Sequence, residues 1–192
     1  MRTFIAIELP AEIKEYLNFI QNKLKACQTD MKWVKPENIH LTLKFLGEIN
    51  AEQFDKTVSI LKKAADNNPS FKINMASIAA FPGINTPRII WLGINQGEPQ
   101  IKTLVANLEE KLVGIGIPAE ERTFSVHITI ARTCSCRNQQ SLGAGIAGLN
   151  DKLKIEKHEF TADKLTLFKS TLTSQGPLYE ALQVFPLGDG SS

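Results

Sequence analysis

The sequence lacks the features that define several classes of protein. Its 192 residues include only three cysteines, an odd and scattered set that does not suit a disulfide framework and fits a reducing cytoplasm. No run of 18 or more apolar residues occurs, so we expect no membrane span. The N-terminal segment has one positive charge and a short apolar run, which predicts a first strand rather than a secretory signal.

The charge and the hydrophobic content limit the classes further. A net charge of only +2 excludes a general nucleic-acid coat, although a small or terminal nucleic-acid group remains possible as substrate. The hydrophobic content of 43% is enough for a sizeable core. We therefore expect residues 1–192 to form a single domain of two intertwined lobes, and a monomer in the cytoplasm.

A short pattern occurs twice in a chain that has only three histidines. His40-Leu41-Thr42-Leu43 and His127-Ile128-Thr129-Ile130 lie 87 positions apart. Each copy alternates polar and apolar residues, which is typical of a half-buried strand. Because side chains two apart on a strand share a face, each copy places a His beside a Thr. The repeat predicts one site built from two matching strands.

The hydrophobic pattern predicts the order strand, helix, His-x-Thr strand in both halves. We expect an α+β fold, in which an internal duplication gives two antiparallel sheets that line a central cleft with helices outside. Asn50 and Gln53 predict a capping box at the start of one helix. The other expected elements are strands near Phe71–Ala80, Arg88–Ile94, Phe124–Arg132, Lys157–Phe160, Lys164–Ser170 and Leu178–Phe185, a loop at Thr133–Asn150 with at most a short helix, and a frayed tail at Gly188–Ser192.

Two histidines with pKa values near neutrality can divide one reaction between them. One removes a proton from the attacking group and the other donates a proton to the leaving group. The hydroxyls of Thr42 and Thr129 can donate hydrogen bonds to an oxyanion. A phosphodiester suits this arrangement because its attacking and leaving oxygens lie on opposite sides of phosphorus. No metal or cofactor is required.

Simpler interpretations compete with this one. A single His-x-Thr strand is most often an ordinary strand, and only its repetition makes a site the better hypothesis. His158 could complete a zinc site with His40 and His127, but no ligand spacing supports it. Cys134-x-Cys136 is a lone pair without the second half of a metal site. Three cations could attract RNA to the cleft, although most such charges are merely solvated: Lys35, Lys44 and Arg88.

The chain resembles the 2H phosphoesterases, which are defined by two His-x-Thr/Ser motifs, and within them the RNA 2′,3′-cyclic phosphodiesterases, first named 2′-5′ RNA ligases. The context of the first motif is more specific than the motif itself. Ser125 stands where the family usually has Pro, and Lys44 where Arg is common. The resemblance is carried by the segments 2–10, 33–47, 87–93, 124–132 and 167–172.

The resemblance implies a bilobal fold with a cleft in which RNA ends or nucleotides bearing a 2′,3′-cyclic phosphate are opened to the 2′-phosphate. It implies His40 as general acid, His127 as general base, and Thr42 and Thr129 as phosphate-binding residues. It also implies that Phe45 and Arg132, each five residues past its His, clamp the terminal base. An odd offset faces away from the His, so this clamp requires each strand to end or bulge just after its motif. Two alternatives are ligation at the same site and a non-catalytic module that binds RNA ends.

Overall fold

The computed structural model describes residues 1–135, 137–153, 158–174 and 176–188, and these residues form an α+β fold. The described strands are β1 (Arg2–Glu8), β2 (Met31–Trp33), β3 (His40–Glu48), β4 (Phe71–Phe81), β5 (Ile89–Gln96), β6 (His127–Thr133), β7 (Glu159–Ala162), β8 (Lys164–Thr173) and β9 (Gly176–Pro186). The described α-helices are α1 (Ala11–Lys25), α2 (Ala51–Asp66), α3 (Glu98–Val113) and α4 (Gln139–Leu153).

The strands form two antiparallel sheets of matching order. The first sheet runs β3-β1-β8-β9, and the second runs β2-β6-β5-β4-β7. The order β3-β1-β8-β9 corresponds to β6-β5-β4-β7, with β2 added at one edge of the second sheet. Each sheet contains strands from both halves of the chain, because β4 joins the second sheet whereas β8 and β9 join the first. The predicted duplicated α+β fold is confirmed.

Alternating apolar side chains of the strands form the core together with one face of each helix. Ile5 of β1 and Leu41 of β3 are fully buried. Helix α1 contributes residues spaced three or four apart, as the sequence predicts: Ile13, Leu17, Ile20 and Leu24. This burial leaves the opposite faces of β3 and β6 free to line a cleft.

The predicted capping box of α2 is confirmed. The side chain of Asn50 accepts a hydrogen bond from the backbone N–H of Gln53 at 2.9 Å, and the backbone N–H of Asn50 donates to Gln53 Oε1 at 3.2 Å. These bonds satisfy donors that the first turn of a helix leaves unpaired, and such a cap typically contributes ~1 kcal/mol.

The largest error of the sequence prediction is α4, which occupies most of the expected loop at Thr133–Asn150. Its three glycines favoured a loop, but two of them lie where helices and loops approach closely. A Cβ on Gly145 would lie 2.8 Å from Cys27 Sγ, and one on Gly143 would lie 2.9 Å from Ile84 Cγ2. Tertiary packing therefore outweighs the low helix propensity of glycine.

Two boundaries also differ from the prediction. Strand β6 begins at His127 rather than near Phe124, and β7 extends over Glu159–Ala162, two residues past the predicted end at Phe160. Lys157, Cys136 and residues 189–192 of the predicted tail lie outside the described residues. None of the described helices is long and apolar enough to cross a membrane.

Candidate active site

Strands β3 and β6 carry the two repeated motifs at corresponding places in the two sheets. Leu41 and Ile128 are fully buried behind them, whereas His40 and His127 are partly exposed on the opposite faces. This alternation follows from the period of a strand. The aliphatic residues thus fix the strands in the core and turn the imidazoles toward the cleft.

The pairing of β3 with β1 slips by one residue just after the motif. Thr42 pairs with Ala6, but Lys44 rather than Leu43 pairs with Ile5, so that Phe45 pairs with Phe4. Paired residues of antiparallel strands share a face, and Phe4 shares the face of Ala6. The slip therefore returns Phe45 to the face that carries His40 and Thr42, as in a β-bulge.

The same slip occurs at the same place on β6. Thr129 pairs with Trp91 of β5, but Ala131 rather than Ile130 pairs with Ile90, so that Arg132 pairs with Ile89. Arg132 consequently shares the face of Thr129 and His127. Both strands thus bring the residue five positions past the His back to the cleft.

A buried glutamine of α1 holds the backbone at the second slip. Gln21 Nε2 donates to the carbonyl of Ile130 at 2.9 Å and to that of Val34 at 2.7 Å. The same Ile130 carbonyl also accepts from the backbone N–H of Val34 at 3.0 Å. Sequence reasoning missed Gln21; its one signal was a polar residue on the apolar face of α1.

A cavity of about 1040 Å³ lies between the two sheets, and all six candidate residues line it. They are His40, Thr42, Phe45, His127, Thr129 and Arg132. Phe45 has 59% of its surface exposed, so its ring is accessible to a ligand in the cavity. The wall formed by the first sheet also includes Pro177 and Tyr179.

The two imidazoles are anchored in the same way. His40 Nδ1 lies 2.8 Å from the carbonyl oxygen of Asn38, and His127 Nδ1 lies 2.7 Å from that of Ser125. A carbonyl oxygen only accepts, so Nδ1 carries the hydrogen in each ring. Nε2 is therefore the nitrogen that can exchange a proton with a bound group.

The surroundings of the two imidazoles differ. The His40 ring stacks on Phe4 with centroids 4.8 Å apart and meets the edge of Tyr179 at 5.3 Å. Burial in this aromatic cluster lowers the pKa of His40 to about 4, against the opposing effect of its bond to the Asn38 carbonyl. The His127 ring instead meets the edge of Trp91 at 5.9 Å. In these surroundings His40 is neutral at pH 7.

Tyr179 belongs to the aromatic cluster and is close enough to Arg132 of the opposite wall to be affected by its charge. Burial raises the pKa of its phenol, and the charges of Arg132 and Arg2 act in the opposite direction. The phenol is therefore protonated at neutral pH and can donate a hydrogen bond in the cleft.

A buried ion pair secures the segment that precedes β6. Lys44 is 5% exposed, and its Nζ donates to Glu109 Oε1 at 2.8 Å and to the carbonyl of Pro118 at 2.9 Å. Glu109 Oε1 also accepts from the backbone N–H of Glu120. The ion pair thus ties Pro118 and Glu120 to β3 and α3, and sequence reasoning missed the role of Glu109.

The other residues singled out from the sequence have varied positions. Lys35 and Lys44 line the cavity, whereas Arg88 is absent from its lining. His158 stacks on Tyr16 with ring centroids 3.4 Å apart, away from the cavity. Within the part of the chain that the structure describes, no group of three or more His, Cys, Asp or Glu side chains could hold a metal ion.

Comparison with known proteins identifies the class. Residues 7–91 and 92–179 each match the family described as LigT like phosphoesterase, so the chain belongs to this family of 2H phosphoesterases. The boundary between the two matches falls within β5, directly after Trp91, and each match contains one His-x-Thr motif.

Individual relatives cover almost the whole chain. It is 35% identical over 183 residues to the RNA 2′,3′-cyclic phosphodiesterase of Methanocaldococcus jannaschii, which covers 95% of this chain and 99% of that protein. It is 35% identical over 164 residues to the protein of the same name from Aquifex aeolicus, covering 82% of each. The crystal structure of TT0787 of Thermus thermophilus superposes with a TM-score of 0.80 and 25% identity, covering 100% of both chains.

Proposed function

We propose that this protein is an RNA 2′,3′-cyclic phosphodiesterase, which hydrolyses RNA or nucleoside 2′,3′-cyclic phosphates to 2′-phosphates without a metal ion. The observation that carries the proposal is the convergence of His40 and His127 on one cavity, each with Nδ1 bonded to a backbone carbonyl and Nε2 left for proton transfer. The names of the two relatives at 35% identity support the same reaction.

A water molecule attacks phosphorus while His127 Nε2 removes a proton from that water. The P–O3′ bond breaks as the protonated His40 donates its Nε2 proton to the leaving 3′-oxygen. The product is a 2′-phosphate and a free 3′-hydroxyl. Thr42 and Thr129 donate hydrogen bonds to the non-bridging oxygens, which carry the charge of the transition state. Each proton-transfer role contributes typically ~10²–10⁴ in rate.

The low pKa of His40 places a condition on its role as general acid. Its burial alone favours the neutral ring. A bound cyclic phosphate is an anion at close range and favours the protonated imidazole. Substrate binding thus favours protonation of His40 in the complex in which it acts as the acid. The positive charge of the imidazolium in turn compensates the negative charge of the bound phosphate.

Phe45 and Arg132 hold the terminal base from the two walls of the cleft. A base stacked on an aromatic ring or a guanidinium plane gains ~1–3 kcal/mol and needs no particular base identity. The protein works as one domain, because each sheet needs strands from both halves. It works as a monomer, since one chain supplies both histidines, and we place it in the reducing cytoplasm, which suits the free thiols of Cys27 and Cys134.

The test is hydrolysis of adenosine 2′,3′-cyclic phosphate after dialysis against EDTA, followed by phosphorus NMR. We expect turnover to be unchanged by chelation and the product to be the 2′-phosphate. Turnover that EDTA abolishes and Zn²⁺ or Mg²⁺ restores would contradict metal independence. A 3′-phosphate product would reverse which ribose oxygen faces His40, and binding without turnover would identify a module that only binds RNA ends.

A further inference from the structure

The cleft concentrates the positive charge of the protein. Eight charged side chains line it, six basic and two acidic: Lys32, Lys35, Lys44, Lys102, Arg122, Arg132, Glu109 and Glu120. Their excess of positive charge is larger than the net +2 of the whole chain, so the rest of the molecule is net acidic. One cyclic phosphate brings a single negative charge, and the cleft therefore suits a ligand with further anionic groups.

Two of the six cations are already neutralised. Lys44 pairs with Glu109 at 2.8 Å, and Lys102 pairs with Glu98 at 2.7 Å. The remaining four are exposed and form no ion pair within the described ranges of the chain: Lys32, Lys35, Arg122 and Arg132. These are the charges that remain available to a ligand.

Lys32 and Arg132 form the most informative pair among them. Lys32 of β2 lies directly opposite Arg132 of β6 in the antiparallel ladder, which places their Cβ atoms ~4.5–5.5 Å apart on the face that bears His127. Like charges directly opposite in a sheet are destabilising. An anion between the two side chains would replace this repulsion with two attractions.

The sheet order shows in which direction from Arg132 a second phosphate would lie. β2 is the edge strand beside β6, so Lys32 lies one strand beyond Arg132, ~4.8 Å farther toward the rim. The facing wall carries uncharged side chains, including Phe45, Pro177 and Tyr179. A polynucleotide that leaves the cleft over this edge would have cations for its phosphates on one side and apolar surfaces for its bases on the other.

We propose that Lys32, together with Arg132, binds the phosphodiester on the 5′ side of the terminal nucleotide. This inference rests on the proposed function and narrows its substrate class. The preferred substrate is an RNA oligomer that ends in a 2′,3′-cyclic phosphate, and a mononucleotide uses only the inner part of the cleft. Lys32 is a specificity residue and takes no part in proton transfer.

The test compares adenosine 2′,3′-cyclic phosphate with the dinucleotide ApA that ends in the same cyclic phosphate. The wild-type kcat/KM should be higher for the dinucleotide, and Lys32→Gln should lower the ratio of the two values by roughly fivefold. Lys32→Arg should retain the ratio. Lys62→Gln is the matched control, because Lys62 is an exposed lysine of α2 outside the cleft, and it should leave both values unchanged.

Two further measurements separate charge from base stacking. For the dinucleotide, the slope of log(kcat/KM) against log[KCl] should become shallower by about 0.7 in Lys32→Gln, the loss of one phosphate contact on a single strand. A neutral methylphosphonate at the internal linkage should remove the dinucleotide preference of the wild type.

The possible failures are distinct. An unchanged ratio in Lys32→Gln, or a preference that survives the methylphosphonate, would overturn the subsite, even with the mononucleotide hydrolysed normally. Failure of the wild type to hydrolyse either substrate would instead overturn the proposed function itself.

Discussion

The imidazole of His40 lies face to face with the ring of Phe4, with centroids 4.8 Å apart and an interplanar angle of 27°. His127, at the equivalent place in the second half, has the edge of Trp91 as its nearest ring instead. The repeated motif therefore places a histidine in two different surroundings. Apolar surroundings disfavour the charged form of a histidine, so burial lowers the pKa of His40.

The first prediction concerns the proton affinity of His40. In the ligand-free protein its pKa should be about 4 because of burial, and inorganic phosphate in the cleft should raise it by at least ~1 unit through the added negative charge. Imidazole nitrogen NMR over a pH series measures both values. A pKa that does not respond to phosphate would leave His40 neutral at working pH and would contradict its role as general acid.

The second prediction follows from the linkage of this pKa to folding. The unfolded state, with the ordinary pKa of 6.5, binds a proton before the folded state does. The contribution of neutral His40 is therefore complete above pH 6.5 and is lost as the pH falls toward 4, by up to about 3 kcal/mol.

His40→Asn retains a donor for the Asn38 carbonyl but has no proton to bind. The difference in free energy of unfolding between wild type and variant should therefore shift against the wild type from pH 7 to pH 4. Urea denaturation at each pH measures it. A difference that is constant with pH would show that His40 has an ordinary pKa in the folded protein.

The third prediction concerns the catalytic pair. His40→Ala or His127→Ala should each lower kcat ~10²–10⁴-fold, with a much smaller effect on substrate affinity. The double variant should lose far less than the product of the two factors, because concerted acid and base act as a unit. His158→Ala is the control, since the third histidine lies away from the cavity, and it should keep full turnover in steady-state assays. Independent losses that multiply would argue against a concerted pair.

The fourth prediction concerns the threonines. Thr42→Val or Thr129→Val removes one hydroxyl donor and keeps the β-branched shape that the strand accommodates. We expect kcat to fall by up to ~10²-fold, less than for either histidine, because the partner hydroxyl remains. If a valine variant were as inactive as the histidine variants, the hydroxyl would have a role beyond holding the phosphate.

The fifth prediction separates base binding from chemistry. Phe45→Ala and Arg132→Ala should raise KM for nucleotides by roughly 5–100-fold, the value of one stacking contact. A ribose cyclic phosphate that lacks a base should be hardly affected. Equal losses on substrates with and without a base would show that these side chains do not clamp it.

The positions of the two motif strands could be predicted because their pattern is local. Alternation around His40 and His127 gives the buried and exposed faces directly. The slips after Leu43 and Ile130 could not be predicted, because they depend on pairing with β1 and β5, which are distant in sequence. On a regular strand, the odd offset of five residues from the His would place Phe45 and Arg132 on the face away from the cleft.

The same distinction explains the other errors. Helix α4 was missed because its glycines indicated a loop. Gly143 and Gly145 are instead accommodated in the helix by close contacts with Ile84 and Cys27, which leave no room for a Cβ. The unequal surroundings of the two histidines depend on Tyr179, which is 139 residues from His40 in the chain. Local pattern thus indicated which residues line the cleft, whereas long-range packing determines the surroundings of each histidine.

The exchange of strands between the two sheets has a consequence for the chain as a folding unit. If the chain were cut between β4 and β5, the first half would retain only one strand pair, that of β1 with β3. The partners of its other two strands would be lost, because β4 pairs with β5 and β7, and β2 pairs with β6. Two-stranded ribbons are marginal in water. Neither half can be an autonomous module, so fragments of this protein should acquire structure only by complementing one another, and a protein made of one such repeat would need a second copy to complete its sheets.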